Sequence, residues 1–305
     1  MKHPQIFKAI QSKEKPVCII CGSTECATKQ NSVFSNQLAV CSRCGLVFAW
    51  PQPPLEKLRA LYGESYFKSD KSHLCGYRDY AKDRGNIIKT SLGRLHGIQS
   101  VYPSKGKILD LGCAMGFFLE AAQQEGWEPY GVELSDYAAS LAQQKFPGKV
   151  YHGTLAQAPF SPQSFDVITA WDYIEHVPNP VEELRNIFNL LKSDGVFVLA
   201  TPDIESITAK ITKDKWMGFK DTEHLYFFSR STMRRAIRQS GLNVVKEKYI
   251  GKHIPLGFFI ERLGLYNRPL SSVLEFLVPK RVSDISLYVN PGDIICVYAR
   301  KPKTS

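Results

Sequence analysis

Two closely spaced cysteine pairs near the N-terminus have the residue type and spacing of metal ligands: Cys18 with Cys21, and Cys41 with Cys44. The stretch between the pairs has a length typical of a four-thiolate zinc site, and a glycine follows each pair. Four thiolates complete a tetrahedral shell, so the sequence predicts a structural rather than a catalytic zinc ion. Cys26 lies between the pairs and is expected not to be a ligand.

A turn of small residues in the middle of the chain has the features of a ligand-binding turn. The segment ILDLGCAMG ends an apolar run in Gly112, Ala114 and Gly116. Small residues after a strand let a ligand approach the backbone, although the spacing is not that of a dinucleotide-binding fingerprint. Glu133 ends the next apolar run, where its carboxylate can accept hydrogen bonds from both hydroxyls of a ribose. Turn and carboxylate together predict a nucleoside-bearing ligand.

Two histidines follow predicted strands and are candidates for acid–base chemistry. His176 follows the fourth strand, and His224 follows the fifth, with Glu223 beside it. Both positions fall at carboxyl ends of strands, which is the side where open α/β sheets bind ligands. A hydroxyl or an acidic carbon needs a base to become a nucleophile, and imidazole is the most frequent one. A hydrogen-bonded structural role remains the alternative for each histidine.

The elements that position these residues alternate between strand and helix after Lys105. The predicted strands are KILDLG, EPYGVEL, KVYHGT, FDVITAWD and GVFVLATP, with helical segments between them. This alternation predicts parallel βαβ units and a sheet covered on both faces. NVVKEKYI and DIICVYAR are predicted as the last two strands.

The composition along the chain divides it into three predicted segments. Residues 1–54 form a small zinc ribbon, 55–104 a helical, aromatic linker or substrate cap, and 105–305 the α/β domain. The dense prolines Pro51, Pro53 and Pro54 mark the first boundary. Residues 252–290 form an insertion rich in Phe, Leu and Ile, which is predicted to be a lid or a homodimer face.

The motifs DLGCAMG, GVELS, APFSPQSFDVITAWDYIEHVPNP and LLKSDGVFVLATPD, in this order and spacing, resemble those of class I S-adenosylmethionine-dependent methyltransferases. The resemblance implies a Rossmann-like seven-stranded sheet with an antiparallel last hairpin, and S-adenosylmethionine as cofactor. The implied cofactor contacts are Asp110, Gly112, Ala114 and Gly116 in the turn, Glu133 at the ribose, Thr154 and Leu155 near the adenine, and a wall formed by Ala170, Trp171 and Asp172. Two residues depart from the family pattern: Ala114 replaces a glycine, and Thr154 stands where many members have an acidic adenine contact.

The zinc knuckles, CGLVFAWPQPP and LRALYGESYF resemble a subset of these enzymes that includes sugar methyltransferases. The resemblance to that subset implies that Glu223 and His224 serve in acid–base chemistry, with His176 as the second candidate. Those sugar enzymes carry a further C-terminal domain, whereas this sequence ends soon after its last predicted strand, so oxygen methylation is favoured over carbon methylation. Four aromatic residues are candidates for stacking on a sugar: Tyr66, Phe67, Trp216 and Tyr226.

The charge of the chain is unevenly distributed and bears on its partners. The formal net charge is +10, yet residues 106–204 carry 5 Lys/Arg against 13 Asp/Glu, and both flanks are basic. An acidic middle suits a cationic sulfonium cofactor, and basic flanks suit a small anionic or glycan-type acceptor. No run is long and apolar enough to span a bilayer, and the polar start lacks a signal peptide, so a cytoplasmic location is expected.

Two other functions fit parts of the sequence. An RNA methyltransferase would use the ribbon and the basic flanks to hold phosphates, but no arginine-rich cluster is present, which makes nucleic acid a less favoured partner. A non-catalytic protein that binds S-adenosylmethionine and docks a partner through the ribbon is the other alternative. The leading prediction is a methyltransferase that acts on a small molecule, a sugar or a phosphate-bearing glycan precursor.

Overall fold

The computed structural model describes residues 15–30, 37–68, 79–220 and 223–302. Residues 1–14 of the predicted ribbon and 69–78 of the predicted cap lie outside the described residues. The elements before the large sheet are strands β1 (Cys26–Gln30), β2 (Gln37–Cys41) and β3 (Val47–Trp50), and helices α1 (Leu55–Leu61), α2 (Glu64–Phe67) and α3 (Arg84–Gln99).

The α/β part alternates strands and helices as the apolar runs predict. Its first half contains β4 (Lys107–Leu111), α4 (Phe117–Gln124), β5 (Glu128–Glu133), α5 (Asp136–Lys145), β6 (Val150–His152), β7 (Phe165–Trp171), α6 (Pro180–Leu190) and β8 (Leu191–Pro202). Its second half contains α7 (Ile207–Thr212), β9 (Tyr226–Phe227), α8 (Arg230–Gln239), β10 (Asn243–Tyr249), β11 (Lys252–Pro255), α9 (Leu256–Leu263), α10 (Arg268–Leu277), α11 (Lys280–Ser283), β12 (Ser286–Val289) and β13 (Ile294–Arg300).

Seven strands form the main sheet in the order β10–β13–β8–β7–β4–β5–β6. The strands β4 to β8 run parallel, and β13 is antiparallel to both of its neighbours, β8 and β10. Every residue of β7 is buried, as expected for a central strand covered by helices on both faces. The predicted fold class, a seven-stranded methyltransferase-type sheet with an antiparallel last hairpin, is confirmed.

Local sequence signals define the helix ends next to the site. The Ser135 hydroxyl accepts a hydrogen bond from the Ala138 amide, 3.2 Å away, and so caps α5. Asn179 caps α6 through the Glu182 amide, and Pro180 occupies the first turn. These caps fix where the loops after β5 and β7 turn into helices, which places the loop residues at the carboxyl edge of the sheet.

The cysteine-bearing segment has its own four-stranded antiparallel sheet, in the order β1–β2–β3–β9. The fourth strand, Tyr226–Phe227, belongs to the α/β part and pairs with Val47 and Phe48 of β3. The Ala49 amide also donates to the Leu225 carbonyl at 2.9 Å. The ribbon sheet is therefore joined by backbone hydrogen bonds to the chain that follows His224.

The insertion between the last two sheet strands is a small unit closed by the antiparallel pair β11–β12. It rests on α3, where the Thr90 hydroxyl accepts a hydrogen bond from the His253 amide at 2.8 Å. Helix α10 leaves large apolar side chains exposed, with Phe276 and Leu277 at 88% and 64% of their surface. The homodimer face predicted here stays a prediction, as do the boundaries of the three segments. Within the described ranges, no helix combines the length and apolar character needed to cross a bilayer.

Candidate active site

The turn between β4 and α4 has backbone conformations that let a ligand approach its main chain closely. Gly112, Ala114 and Gly116 have φ values of +70°, +48° and +79°. A Cβ on Gly112 would lie 2.9 Å from the Tyr173 ring, so only glycine fits there. Ala114 adopts a left-handed conformation that favours glycine. The alanine that replaces the family's glycine here therefore has a strained backbone. The turn thus presents backbone rather than side chains at the edge of the sheet.

Glu133 is fixed at the end of β5 with both carboxylate oxygens in use. Its Oε2 accepts a hydrogen bond from the Ala114 amide and its Oε1 one from the Ser135 amide, each at 2.8 Å. Burial raises the pKa of this carboxyl in spite of these bonds. A carboxylate oxygen has two acceptor sites, so each oxygen retains capacity for a further donor such as a ribose hydroxyl.

Asp110 lies at the same edge, on β4, and is buried. The Thr169 hydroxyl donates to its Oδ1 at 2.7 Å. Burial raises the pKa of Asp110 to about 7, and the Thr169 bond opposes part of that shift. Asp110, Gly112 and Glu133 therefore lie around one backbone turn. Their carboxyl groups and the exposed backbone fit a nucleoside-bearing cofactor.

The two residues predicted near the adenine follow β6. Thr154 is half-buried and its hydroxyl contacts Gln157 Oε1 at 3.0 Å, whereas Leu155 is buried in the core. Thr154 begins a short 3-10 turn over Leu155–Gln157. Both residues lie at the carboxyl side of β6, next to the strand that ends in Glu133.

The predicted wall consists of the last two residues of β7 and the residue after it, and these side chains lie on different faces of the sheet. Ala170 packs in the core on one face, whereas Trp171 packs on the other, with its ring 5.7 Å from that of Phe118. Asp172 has a φ of +51° and pairs with Lys252 of the insertion, its Oδ2 lying 2.6 Å from the ammonium nitrogen. Burial opposes its ionisation, yet Lys252 and nearby Arg94 hold the pKa of Asp172 at about 2.

The two histidines come together although 48 positions separate them in the numbering. Their rings meet edge to face, with centroids 4.8 Å apart. His176 Nδ1 lies 2.9 Å from the Glu223 carbonyl, and His224 Nδ1 lies 3.0 Å from the Gly218 carbonyl. Since a carbonyl can only accept, each Nδ1 carries the proton and each Nε2 keeps a lone pair. Burial lowers the pKa of both imidazoles, so the neutral form is favoured.

Glu223 is buried beside the histidine pair and is ionised. The Tyr66 hydroxyl donates to its Oε2, and Lys220 lies 3.1 Å from its Oε1. Burial opposes ionisation, but the pKa of Glu223 is lowered to about 2, chiefly by the positive charge of Lys220. Glu223 and His224 lie in the turn before β9 rather than on a strand.

Several residues of this region were not singled out as candidates by the sequence. The Tyr62 hydroxyl contacts His176 Nδ1 at 3.0 Å and so brings α1 to the histidine pair. Lys220 and Lys252 supply the positive charges opposite Glu223 and Asp172. Glu175 directly precedes the candidate base His176 in the sequence. This adjacency is the sequence feature that could have identified Glu175 as part of the site.

Of the four aromatic residues predicted to stack on a sugar, three pack in the core and one lies at the site. Phe67, Trp216 and Tyr226 are buried in the core, where the Trp216 indole donates to Asp293 and the Tyr226 hydroxyl to the Pro178 carbonyl, both at 2.8 Å. Tyr66 is half-buried and reaches Glu223.

The four predicted zinc ligands converge on one point. The sulfur of Cys18 lies 3.4 Å from that of Cys44, and the sulfur of Cys21 lies 3.4 Å from that of Cys41. In a tetrahedral thiolate site with zinc–sulfur bonds of about 2.3 Å, the sulfurs lie about 3.8 Å apart, so this donor set fits zinc. Cys26 is directed instead to the Ser23 carbonyl, 3.6 Å away, and burial raises its pKa to about 11.

Known proteins resemble this chain chiefly over the α/β part. A methyltransferase-domain family matches residues 80–247, more than half of the chain. The ubiquinone biosynthesis O-methyltransferase of Leptothrix cholodnii is 30% identical over 125 residues, which cover 39% of this chain and 50% of the relative. The enzyme of the same name from Coxiella burnetii is 29% identical over 145 residues, covering 43% and 62%.

This chain thus spans about half the length of the curated relatives it matches first. Among solved structures, the complex between the Haloferax volcanii Trm112 methyltransferase activator and a proposed methyltransferase matches with a TM-score of 0.51 and 17% identity. That match covers 73% of this chain and 94% of the other, and it concerns the fold.

Proposed function

Because this chain belongs to the class I S-adenosylmethionine-dependent methyltransferases, we propose that it transfers the methyl group of S-adenosylmethionine to a hydroxyl oxygen of a small acceptor. The observation that carries the proposal is the histidine pair beside Glu223, at the same edge of the sheet as the glycine turn and Glu133. The relatives named as O-methyltransferases support oxygen as the methylated atom.

The cofactor would bind over the turn between β4 and α4. The remaining acceptor sites on Glu133 suit the ribose hydroxyls, and Thr154 and Leu155 lie where the adenine would extend along the edge of the sheet. Gly112 and Gly116 allow the positive φ values of the turn, and the space where their Cβ atoms would lie is filled by Tyr173 and Phe146. Asp110 and Glu133 are the carboxyls at this edge, and their ionised forms would suit a cation, although burial raises the pKa of both.

The reaction needs alignment and one proton acceptor. S-adenosylmethionine supplies a methyl group already activated on a positively charged sulfur. With the cofactor held over the turn, this methyl group would be available to the acceptor oxygen, and the lone pair on Nε2 of His224 would accept the hydroxyl proton. The Gly218 carbonyl holds the His224 ring in the required tautomer. Glu223, ionised and 1% exposed, stabilises the protonated ring, and His176 is the second candidate base.

The acceptor class is proposed as small hydroxyl-bearing molecules, sugars among them.

A zinc ion in the cysteine cluster would have a structural role, because four thiolates leave no open position on the metal. The ribbon then supports the site by pairing β3 with β9, next to His224.

Methyl transfer can be tested with labelled cofactor and defined acceptor pools. The enzyme is incubated with methyl-labelled S-adenosylmethionine and, separately, phenols, nucleotide-linked sugars and total RNA, and products are identified by mass spectrometry. We expect label on an oxygen of a small molecule, and none with Glu133→Ala. Label in RNA alone, or on carbon or nitrogen alone, would refute the proposal.

A further inference from the structure

Three metal-ligating side chains meet at the carboxyl edge of the sheet, apart from the cysteine cluster: Glu175, His176 and His224. One ligand atom from each lies within 4.8 Å of the others. We propose that these residues form a binding site for a divalent transition-metal ion. Its role in catalysis rests on the proposed function, whereas the site itself rests on the geometry that follows.

Glu175 is a buried carboxyl, and its lack of a hydrogen bond within the part of the chain that the structure describes sets it apart. It is 1% exposed, and neither carboxylate oxygen has a partner among the described residues. The Thr201 hydroxyl lies close enough to influence it, but it too is without a hydrogen bond there. A buried acceptor without a hydrogen bond lowers the free energy of unfolding by about 1–3 kcal/mol. Such a group in a native fold therefore indicates a bound ligand.

Both histidines are oriented as metal ligands are. Each Nδ1 lies within hydrogen-bond distance of a backbone carbonyl, that of Glu223 for His176 and that of Gly218 for His224. Ligating histidines nearly always donate their second ring N–H in this way, which fixes the tautomer and leaves Nε2 for the metal. Tyr62 adds a second contact to His176 Nδ1 and further fixes that ring.

The ligand spacing is close to that of a bound ion. With bonds of about 2.0–2.2 Å, the ligands of one ion lie about 3–4 Å apart, so the three side chains need to close by about 1 Å. Two imidazoles and a carboxylate favour zinc, iron, cobalt or manganese over magnesium or calcium, which prefer all-oxygen ligands. Three protein ligands also leave positions open for an exogenous oxygen.

The ion pairs found among the described residues around the cluster involve its other two carboxyls and not Glu175. Asp172 pairs with Lys252 at 2.6 Å, and Glu223 with Lys220 at 3.1 Å. A divalent ion would stabilise the ionised form of Glu175. On the proposed function, the ion would lower the pKa of an acceptor hydroxyl at an open position, and the proton would leave to solvent water because Nε2 of His224 would then be a metal ligand.

The test is a titration with Co²⁺ alone, on full-length protein whose cysteine cluster carries zinc. We expect one Co²⁺ per chain with the weak visible absorption of nitrogen and oxygen ligands. The intense near-ultraviolet bands of thiolate–cobalt coordination should be absent. Glu175→Gln should weaken binding by at least about tenfold, and His224→Gln likewise. Glu183→Gln removes another buried carboxyl that bonds Tyr173 instead, and it should bind Co²⁺ like the wild type.

Folding of each variant is checked by thermal unfolding and by its affinity for S-adenosylmethionine. Absence of a cobalt signal other than thiolate bands, or equal affinity in Glu175→Gln and Glu183→Gln, would overturn the site. If Co²⁺ fails to bind but a labelled O-methyl product forms, the metal site is wrong and the proposed function stands. If Co²⁺ binds as expected and no acceptor is methylated on oxygen, the proposed function is wrong and the site stands.

Discussion

Replacement of Glu223 by glutamine tests whether the buried charge beside the histidine pair holds this region together. The substitution keeps the size of the side chain and removes its charge. Glu223 is fully buried, and Tyr66, Lys220 and the two histidines surround it. We therefore expect Glu223→Gln to lower both the free energy of unfolding and the turnover, while the affinity for S-adenosylmethionine changes little.

The size of the stability loss follows from the pKa of Glu223. Its value of about 2, against 4.5 for an ordinary glutamate, corresponds to about 3 kcal/mol at about 1.4 kcal/mol per pKa unit. Lys220 is 34% exposed, so solvent screens part of its attraction. A loss of about 2 kcal/mol is therefore expected. Because the carboxyl pKa is depressed, this stabilisation is complete above pH 4.5 and disappears only as the pH falls towards 2.

Urea unfolding at pH 7 and pH 8 provides the measurement. The difference between wild type and Glu223→Gln should be about 2 kcal/mol and equal at the two pH values. Glu183→Gln is the matched control, because burial raises rather than lowers the pKa of Glu183. Its neutral replacement should cost little or should stabilise the fold. A loss below about 0.5 kcal/mol for Glu223→Gln, or a loss equal to that of the control, would refute the reasoning.

Four further substitutions address the rest of the site. Glu133→Ala should weaken S-adenosylmethionine binding at least about tenfold by calorimetry, since it removes the proposed ribose acceptor and the hydrogen-bond partner of the Ala114 and Ser135 amides; unchanged affinity would contradict the assignment. Ala114→Gly should raise the free energy of unfolding by about 1 kcal/mol because it relieves a left-handed alanine; a lower stability would contradict this. Cys41→Ser should remove the ribbon zinc, as measured by metal analysis, and lower turnover more than cofactor affinity; full turnover without zinc would show that the ribbon does not support the site. His224→Ala should lower turnover with cofactor binding intact, and full activity would transfer the base role to His176 or to neither histidine.

The sequence predicted the main sheet and the cofactor side of the site because both depend on local patterns. Apolar runs identify buried parallel strands such as β7, and residues at strand ends share one edge of the sheet. Gly112 and Glu133 could therefore be grouped from their positions in the chain, and Asp110 from the family resemblance. The structure places the three at one edge of the sheet, and their contacts with the cofactor stay a prediction.

The acceptor side depends on contacts between distant parts of the chain, which no local pattern encodes. Tyr66 precedes Glu223 by 157 positions, and Tyr62 precedes His176 by 114. Strand β9 has two residues, too few to show a periodicity. The attachment of the insertion through Lys252 depends in the same way on how separate elements pack.

The backbone hydrogen bonds between β3 and the chain after His224 limit which parts of the protein evolution can exchange. The Ala49 amide donates to the Leu225 carbonyl, and the Leu225 amide donates in turn to the Glu175 carbonyl, at 2.9 and 2.8 Å. Recombination that exchanged the N-terminal segment for an unrelated one would leave Tyr226–Phe227 as an unpaired edge and release the backbone next to Glu175. We therefore expect the ribbon and the turn that carries Glu223 and His224 to be inherited together. New acceptor preferences should then arise by substitution within these two parts rather than by exchange of the N-terminal segment.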